Sequence, residues 1–284
     1  MKCFFHSSDL DGHCSGAVVK HRYPECEMIG VNYGQPFPWE DIASHEPVFM
    51  VDFCLQPFQD MNRLNNLCLL HWVDHHTTSI DKAIEYQFAA GGGQLLSIGK
   101  AACELTWEYI YPQTKIPTAV YLLGRYDVWD HADERVLPFQ YGMRLYADTF
   151  PDNQALWRVL FDSEDRHFAQ VMANGSLILQ YERNQNAKFC SAYAFETWIH
   201  DPAKGDIRAI CANRVFSNSK LFDSVYHSGR HDIMVSFGRR GGKWVVSLYT
   251  THKNVDCGAI ALAYGGGGHK QAAGFTCSEL PFRY

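Results

Sequence analysis

Over the first 130 residues, short runs of consecutive apolar side chains alternate with stretches where apolar positions recur every three or four residues. The runs CFFHS (3–7), EMIGVNY (27–33), VFMVDF (48–53) and LLHWVDH (69–75) have the length and β-branched or aromatic content of strands. Between them, GHCSGAVVKHRY (12–23) and PFQDMNRLNNL (57–67) carry the spacing of amphipathic helices. Strands that alternate with helices predict an α/β fold with a doubly wound, mainly parallel sheet. Such sheets bind ligands beyond the carboxyl ends of their strands. The first, third and fourth runs each end in ionisable residues.

The pattern then changes. Residues 94–109 and 116–123 read as helices, and the glycines at 91–93, which no GK[ST] follows, read as a flexible loop before the first of them. Residues 153–194 are mostly helical in spacing, with a charged run at 162–167 on a solvated face. From about Ile207 strands return: IRAICA (207–212), HDIMVSF (231–237) and KWVVSLYT (243–250), the last two joined by a GRRGGK hairpin signal. A short helix, VDCGAIALAYG (255–265), leads into the run GGGGHKQAAGF (265–275). The expected organisation is a first domain over 1–150, a helical connector over 151–195 and a smaller α/β domain over 196–284.

Composition narrows the class. The 284 residues are 46% hydrophobic and 20% charged, with a net charge of -6. No apolar run approaches the ~20 residues of a membrane span, and the start of the chain is too short in apolar residues for a signal peptide. Ten cysteines without a CxxC pair read as reduced thiols, so the expected location is cytoplasmic. An acidic chain without a basic stripe excludes a binder of long duplex nucleic acid. It can still act on phosphate esters where metal ions supply the positive charge.

The candidate ligands stand at the strand ends: His6, Asp9 and Asp11 after the first strand, Asp52 after the third, and Asp74, His75 and His76 after the fourth. A further cluster, GRYDVWD, supplies Asp127 and Asp130 after the helix at 116–123. Carboxylates mixed with imidazoles suit Mn²⁺, Mg²⁺ or Co²⁺ better than a thiolate-bound structural zinc. Two ions about 3.5–4 Å apart can activate water and clamp a phosphoryl group together.

The segments DLDG, VDF, VDHH and YDVWD, followed by GGGGHKQAAGF, resemble the DHH phosphoesterase family with its DHH-associated C-terminal domain, from Phe4 to Phe275. The resemblance implies two divalent ions, foremost Mn²⁺. It assigns Asp9 to one ion, Asp11, His75 and Asp127 to the other, and Asp52 as a bridge, and His6 resembles the family's first-strand histidine ligand. Two residues separate His6 from the first aspartate, where many relatives have three. His76 would face the substrate phosphate, Asp74 would orient the histidine pair, and Asp130 would be a structural acceptor. In the C-terminal domain, Gly265, Gly266, Gly267 and Gly268 would let backbone N–H groups approach an anionic substrate, with His269 adding a directed contact. Arg239, on the hairpin before this run, would be a further substrate contact. Tyr249 stands where many relatives carry an arginine, and is expected to stack on a base.

Within that family the compact architecture points to hydrolysis of short RNA or DNA oligonucleotides, as by nanoRNases. A 3′-phosphoadenosine phosphate phosphatase and a phosphodiesterase of cyclic or linear dinucleotides are the alternatives. A non-catalytic nucleotide-binding sensor is the reading from another class. The sequence leaves a homodimer open.

Overall fold

The computed structural model describes residues 1–162 and 166–282. Of the charged run at 162–167, residues 163–165 therefore lie outside the described residues. The chain divides into two compact units, Met1–Leu179 and Gln180–Tyr284.

The first unit is built on five parallel strands: β1 (Lys2–His6), β2 (Glu27–Val31), β3 (Pro47–Val51), β4 (Leu69–Asp74) and β5 (Gly93–Leu96), in the order β2-β1-β3-β4-β5. Period-two alternation sends successive side chains to opposite faces. Cys3, Phe5, Phe49, Val51 and Val73 enter one core, with Val19 from helix α1 (Leu10–Arg22) and Leu105 from α4 (Ala102–Ile110). Phe4, Val48, Met50, Leu70 and Trp72 enter the other, with Met61 and Leu64 from α2 (Gln59–Leu67) and Ala83 from α3 (Thr77–Glu85). Both faces are covered, so the central strands are apolar throughout rather than alternating. Helices α5 (Thr118–Asp127) and α7 (Gln154–Asp162) pack against α1, and α6 (Val136–Met143) packs against α5, in one core that holds Val120, Phe139 and Trp157. The long α8 (Arg166–Tyr193) adds Val171 to this core.

The second unit holds a six-stranded sheet ordered β10-β11-β9-β8-β7-β6. Its strands are β6 (Phe195–Asp201), β7 (Gly205–Asn213), β8 (Ile233–Arg240), β9 (Lys243–Tyr249), β10 (Gly267–Gly268) and β11 (Ala272–Cys277). Only the β7–β8 pair is parallel. Helix α9 (Cys257–Ala263) buries Ile260 on one face, and Cys190, Leu221 and Phe222 cover part of the other.

Four sequence expectations are corrected. Residues 94–96 form edge strand β5 and not the start of a helix; the helix begins at Ala102. The glycines at 91–93 turn directly into that strand. Asp127 is the last residue of α5 and does not follow the helix. Strands β6 and β11, on either side of the expected elements, complete the second sheet. Among the described residues, no helix is long and apolar enough to cross a membrane.

Candidate metal centre

The ionisable residues converge beyond the carboxyl ends of β1, β3 and β4. After β1 the chain turns at once into α1, and Asp9 caps that helix by accepting the Gly12 N–H at 3.0 Å. The turn is tight enough that a Cβ on Gly12 would stand 2.0 Å from the His6 carbonyl oxygen. Glycine in the DLDG segment thus serves the close approach of α1 to β1. The other Asp9 oxygen, Oδ2, lies 3.2 Å from His6 Nδ1.

Asp11 is buried, and its two oxygens accept the backbone N–H groups of Ala102 at 2.9 Å and Cys103 at 2.8 Å. Those donors belong to the first turn of α4, where N–H groups lack intrahelical partners. No local pattern signals this anchor, because the contact joins residues about ninety positions apart.

Asp52 follows β3 with a left-handed backbone (φ 57°) and is 1% exposed. Its Oδ2 faces His6 Nδ1 at 3.5 Å, while its Oδ1 faces His75 Nε2 at 3.5 Å and His76 Nδ1 at 3.8 Å. His75 Nε2 also faces Asp11 Oδ2 at 3.6 Å and Asp127 Oδ2 at 3.4 Å. Asp74, fully buried, accepts the backbone N–H groups of His75 (2.7 Å) and His76 (3.1 Å) on Oδ1, which also holds His76 Nδ1 at 2.7 Å. Asp74 therefore fixes the His76 ring directly and reaches His75 through its backbone.

Three sets of potential ligand atoms follow, each within 4.8 Å: His6, Asp9 and Asp52; Asp52, His75 and His76; and Asp11, His75 and Asp127. Asp52 joins the first two sets and His75 the last two.

So many carboxylates in a buried place repel one another. Burial and the Asp52 charge push Asp11 up to about 7, and burial and the Asp11 charge do the same to Asp127. Burial alone would lower the histidines. Pairing with Asp52 and Asp9 nevertheless carries His6 up to about 10, and Asp52, Asp11 and Asp127 carry His75 to about 10. Asp52 Oδ1, buried, has no hydrogen-bond partner. A buried carboxylate oxygen left unpaired is costly unless a cation or donor meets it. Hard oxygen donors, imidazoles and this orphaned oxygen fit divalent ions of the Mn²⁺, Mg²⁺ or Co²⁺ kind.

A neighbouring feature also escapes sequence reasoning. Buried Glu104 pairs with Arg125, which in turn lies 3.5 Å from Asp130. Asp130 also accepts the Ala132 N–H at 3.3 Å. This network braces the segment that carries Asp127.

The remaining candidates lie in the second unit. Gly267 and Gly268 form β10, paired with Gly274 and Ala273 of β11. The protein itself explains much of the glycine run. A Cβ on Gly266 would meet the Gly274 carbonyl oxygen at 2.1 Å, and Gly268 (φ 140°) would press on Ala273 at 2.6 Å. A Cβ on Gly267 would meet nothing within 4 Å. Gly266 and Gly268 thus have reasons within the fold, and Gly267 is the position without an internal reason. His269 donates its N–H to the Ala272 carbonyl at 2.7 Å, and Ala272 is the strand partner of Tyr249. The Tyr249 hydroxyl donates to the Ser217 carbonyl at 3.0 Å, and its ring packs beside Met234 and Ile210. Arg239 is not brought to this group. It pairs with Trp244 in the β8–β9 ladder, about 17 Å along β9 from Tyr249, with its guanidinium over the Trp244 ring.

No family model matches the chain. It is 24% identical over 251 residues to the uncharacterized protein R106 of Acanthamoeba polyphaga mimivirus, covering 84% of this chain and 55% of that protein. The chain thus spans about half the length of that curated relative. Among solved structures it is similar to the pGpG-specific phosphodiesterase PggH of Vibrio cholerae (12% identity, TM-score 0.57, 97% of this chain and 92% of that one). It is also similar to the DHH domain of a member of a family of ribosomal proteins (14%, 0.58, 96% and 81%). An exopolyphosphatase-related protein of Bacteroides fragilis is comparable (11%, 0.55, 98% and 87%). The chain shares the α/β fold of these DHH-type proteins.

Proposed function

We propose that the chain is a metal-dependent phosphoesterase of the DHH family that hydrolyses short oligonucleotides to mononucleotides. The observation that carries this reading is Asp52, which offers one oxygen toward His6 and Asp9 and the other toward His75 and His76. His6, Asp9 and Asp52 would hold one ion; Asp11, Asp52, His75 and Asp127 would hold a second. Such ions, when bound, lower the pKa of a coordinated water and polarise the phosphoryl group.

The protein's own residues have separate tasks in this reading. The α4 N-terminus keeps the Asp11 carboxylate aimed, so that no rotamer search precedes metal binding. Asp74 holds the His76 ring by Nδ1, which sets the imidazole to contact the substrate phosphate. In the second unit, an added Cβ on Gly267 would meet nothing within 4 Å, which leaves room for an anionic ligand to approach that backbone, with His269 two residues on. The acidic chain without a basic stripe suits a substrate of a few nucleotides.

The likeness of fold to a pGpG-specific phosphodiesterase favours a linear dinucleotide as a second reading. A panel of pGpG, 5-mer RNA, 5-mer DNA, a 24-mer, 3′-phosphoadenosine phosphate and a cyclic dinucleotide, each with Mn²⁺, tests both. Turnover of the 5-mers and pGpG but not of the 24-mer is expected. Turnover of pGpG alone selects the second reading. Nucleotide binding without turnover of any substrate would leave a sensor.

A further inference from the structure

Trp129 occupies a backbone conformation that suits glycine. At the end of α5 the Val128 N–H reaches the Gly124 carbonyl at 3.1 Å, and the Asp130 N–H reaches back to Arg125 at 2.9 Å. This closure needs a left-handed residue between them, and Trp129 supplies it with φ 60°. Glycine is the usual occupant of that position, because a Cβ is strained there. A bulky residue held in such a conformation points from the outlier to a use.

The ring is not spent on the core. Trp72, Trp107 and Trp157 are buried, whereas Trp129 is 44% exposed. The ring of His131 lies 6.0 Å from it at 31°, and Tyr126 stacks on His131 at 5.4 Å. Tyr126 directly precedes Asp127, so the Tyr126–His131–Trp129 ring series starts one residue along the chain from a carboxylate of the cluster. Trp129 is two residues from Asp127, which places their Cα atoms within about 7.6 Å. A nucleotide whose phosphate rests at the cluster carries its base across a distance of that order.

We infer that Trp129 is the platform on which the nucleobase next to the reacting phosphate stacks. The inference rests on the phosphoesterase reading above and gives it a base-recognising surface, with an aromatic side chain replacing the glycine that the turn prefers. Stacking of a base on an aromatic ring is tolerant of base identity. The platform therefore selects nucleotides over phosphate esters that lack a base.

The test compares Trp129→Gly and Trp129→Tyr with the unaltered protein, all loaded with Mn²⁺. Affinities for GMP and for ribose 5-phosphate are measured by calorimetry, alongside Tm and Mn²⁺ affinity. Trp129→Gly should raise Tm by about 2–4 °C, because the turn gains its preferred residue. It should weaken GMP by about 5- to 150-fold and leave ribose 5-phosphate and Mn²⁺ unchanged. Trp129→Tyr should retain most of the GMP affinity. Unchanged GMP affinity in Trp129→Gly, or equal losses for GMP and ribose 5-phosphate, overturns the inference. So does an unaltered protein that prefers ribose 5-phosphate to GMP, even if it hydrolyses oligonucleotides. Failure of the substrate panel instead removes the phosphoesterase reading.

Discussion

Asp52 and Asp130 are both aspartates near the cluster, yet their surroundings differ in kind. Asp52 is buried, left-handed in backbone and faces two ligand sets, while Asp130 pairs with Arg125 and a backbone N–H. Asp52→Ala is therefore expected to lower turnover by about 10²–10⁴-fold, as loss of several kcal/mol of charge stabilisation at the reacting group would. Asp130→Asn should stay within about tenfold of the unaltered protein. Steady-state rates of folded variants decide the matter, and equal losses would mean that Asp130 belongs among the ligands. His269→Ala asks a different question, because its backbone is committed to Ala272 while its side chain follows closely on the open Gly267. Loss of one charge-assisted hydrogen bond, about 1.5–3 kcal/mol, should reduce kcat/KM on a short oligonucleotide by roughly one to two orders of magnitude. Mn²⁺ affinity should be unmoved; a fall in both would overturn the reading of His269 as a substrate contact.

The elements show how far a sequence reads and where it stops. Strands β1, β3 and β4 are legible because their buried interiors leave continuous apolar runs, each followed by ligands. Edge strand β5 is not, since QLL is three residues of half-buried character running into AACEL, whose apolar spacing is helical. Asp9, Asp52 and the histidine pair are legible because each lies within a few residues of a strand end. The anchor of Asp11 on α4 and the Glu104–Arg125 brace are not, since their partners are far apart in sequence. The glycine run reads as a ligand loop, but local spacing cannot reveal that β11 crowds Gly266. Two substitutions separate these causes. Gly266→Val should destabilise the second unit by about 1–3 kcal/mol through overpacking against β11. Gly267→Ala, whose added Cβ would meet nothing within 4 Å, should leave Tm unchanged. A large fall in Tm for Gly267→Ala would mean that the turn tolerates no side chain anywhere.

At the scale of the whole molecule, ions that bind only the folded cluster must stabilise it by mass action. At a hundredfold excess over Kd the gain is about 2.7 kcal/mol, which for a unit of this size is about 5–10 °C in Tm. Thermal scans with Mn²⁺, with EDTA and with Asp52→Ala should give a shift in the first case alone, and EDTA should abolish turnover. No shift, or turnover surviving chelation after dialysis, removes the metal reading. The convergence of candidate ligands from His6 to Asp127 has a kinetic consequence. These residues meet only after the parallel strands have docked through their helical crossovers, contacts that close late because of their long loops. A cation has no formed pocket to grip in the unfolded chain or in a half-assembled transition state. Its effect should therefore fall on the unfolding limb of a chevron and leave the refolding rate nearly constant. The ion would act as a latch on escape from the native state, setting how long the folded chain lasts rather than how fast it forms.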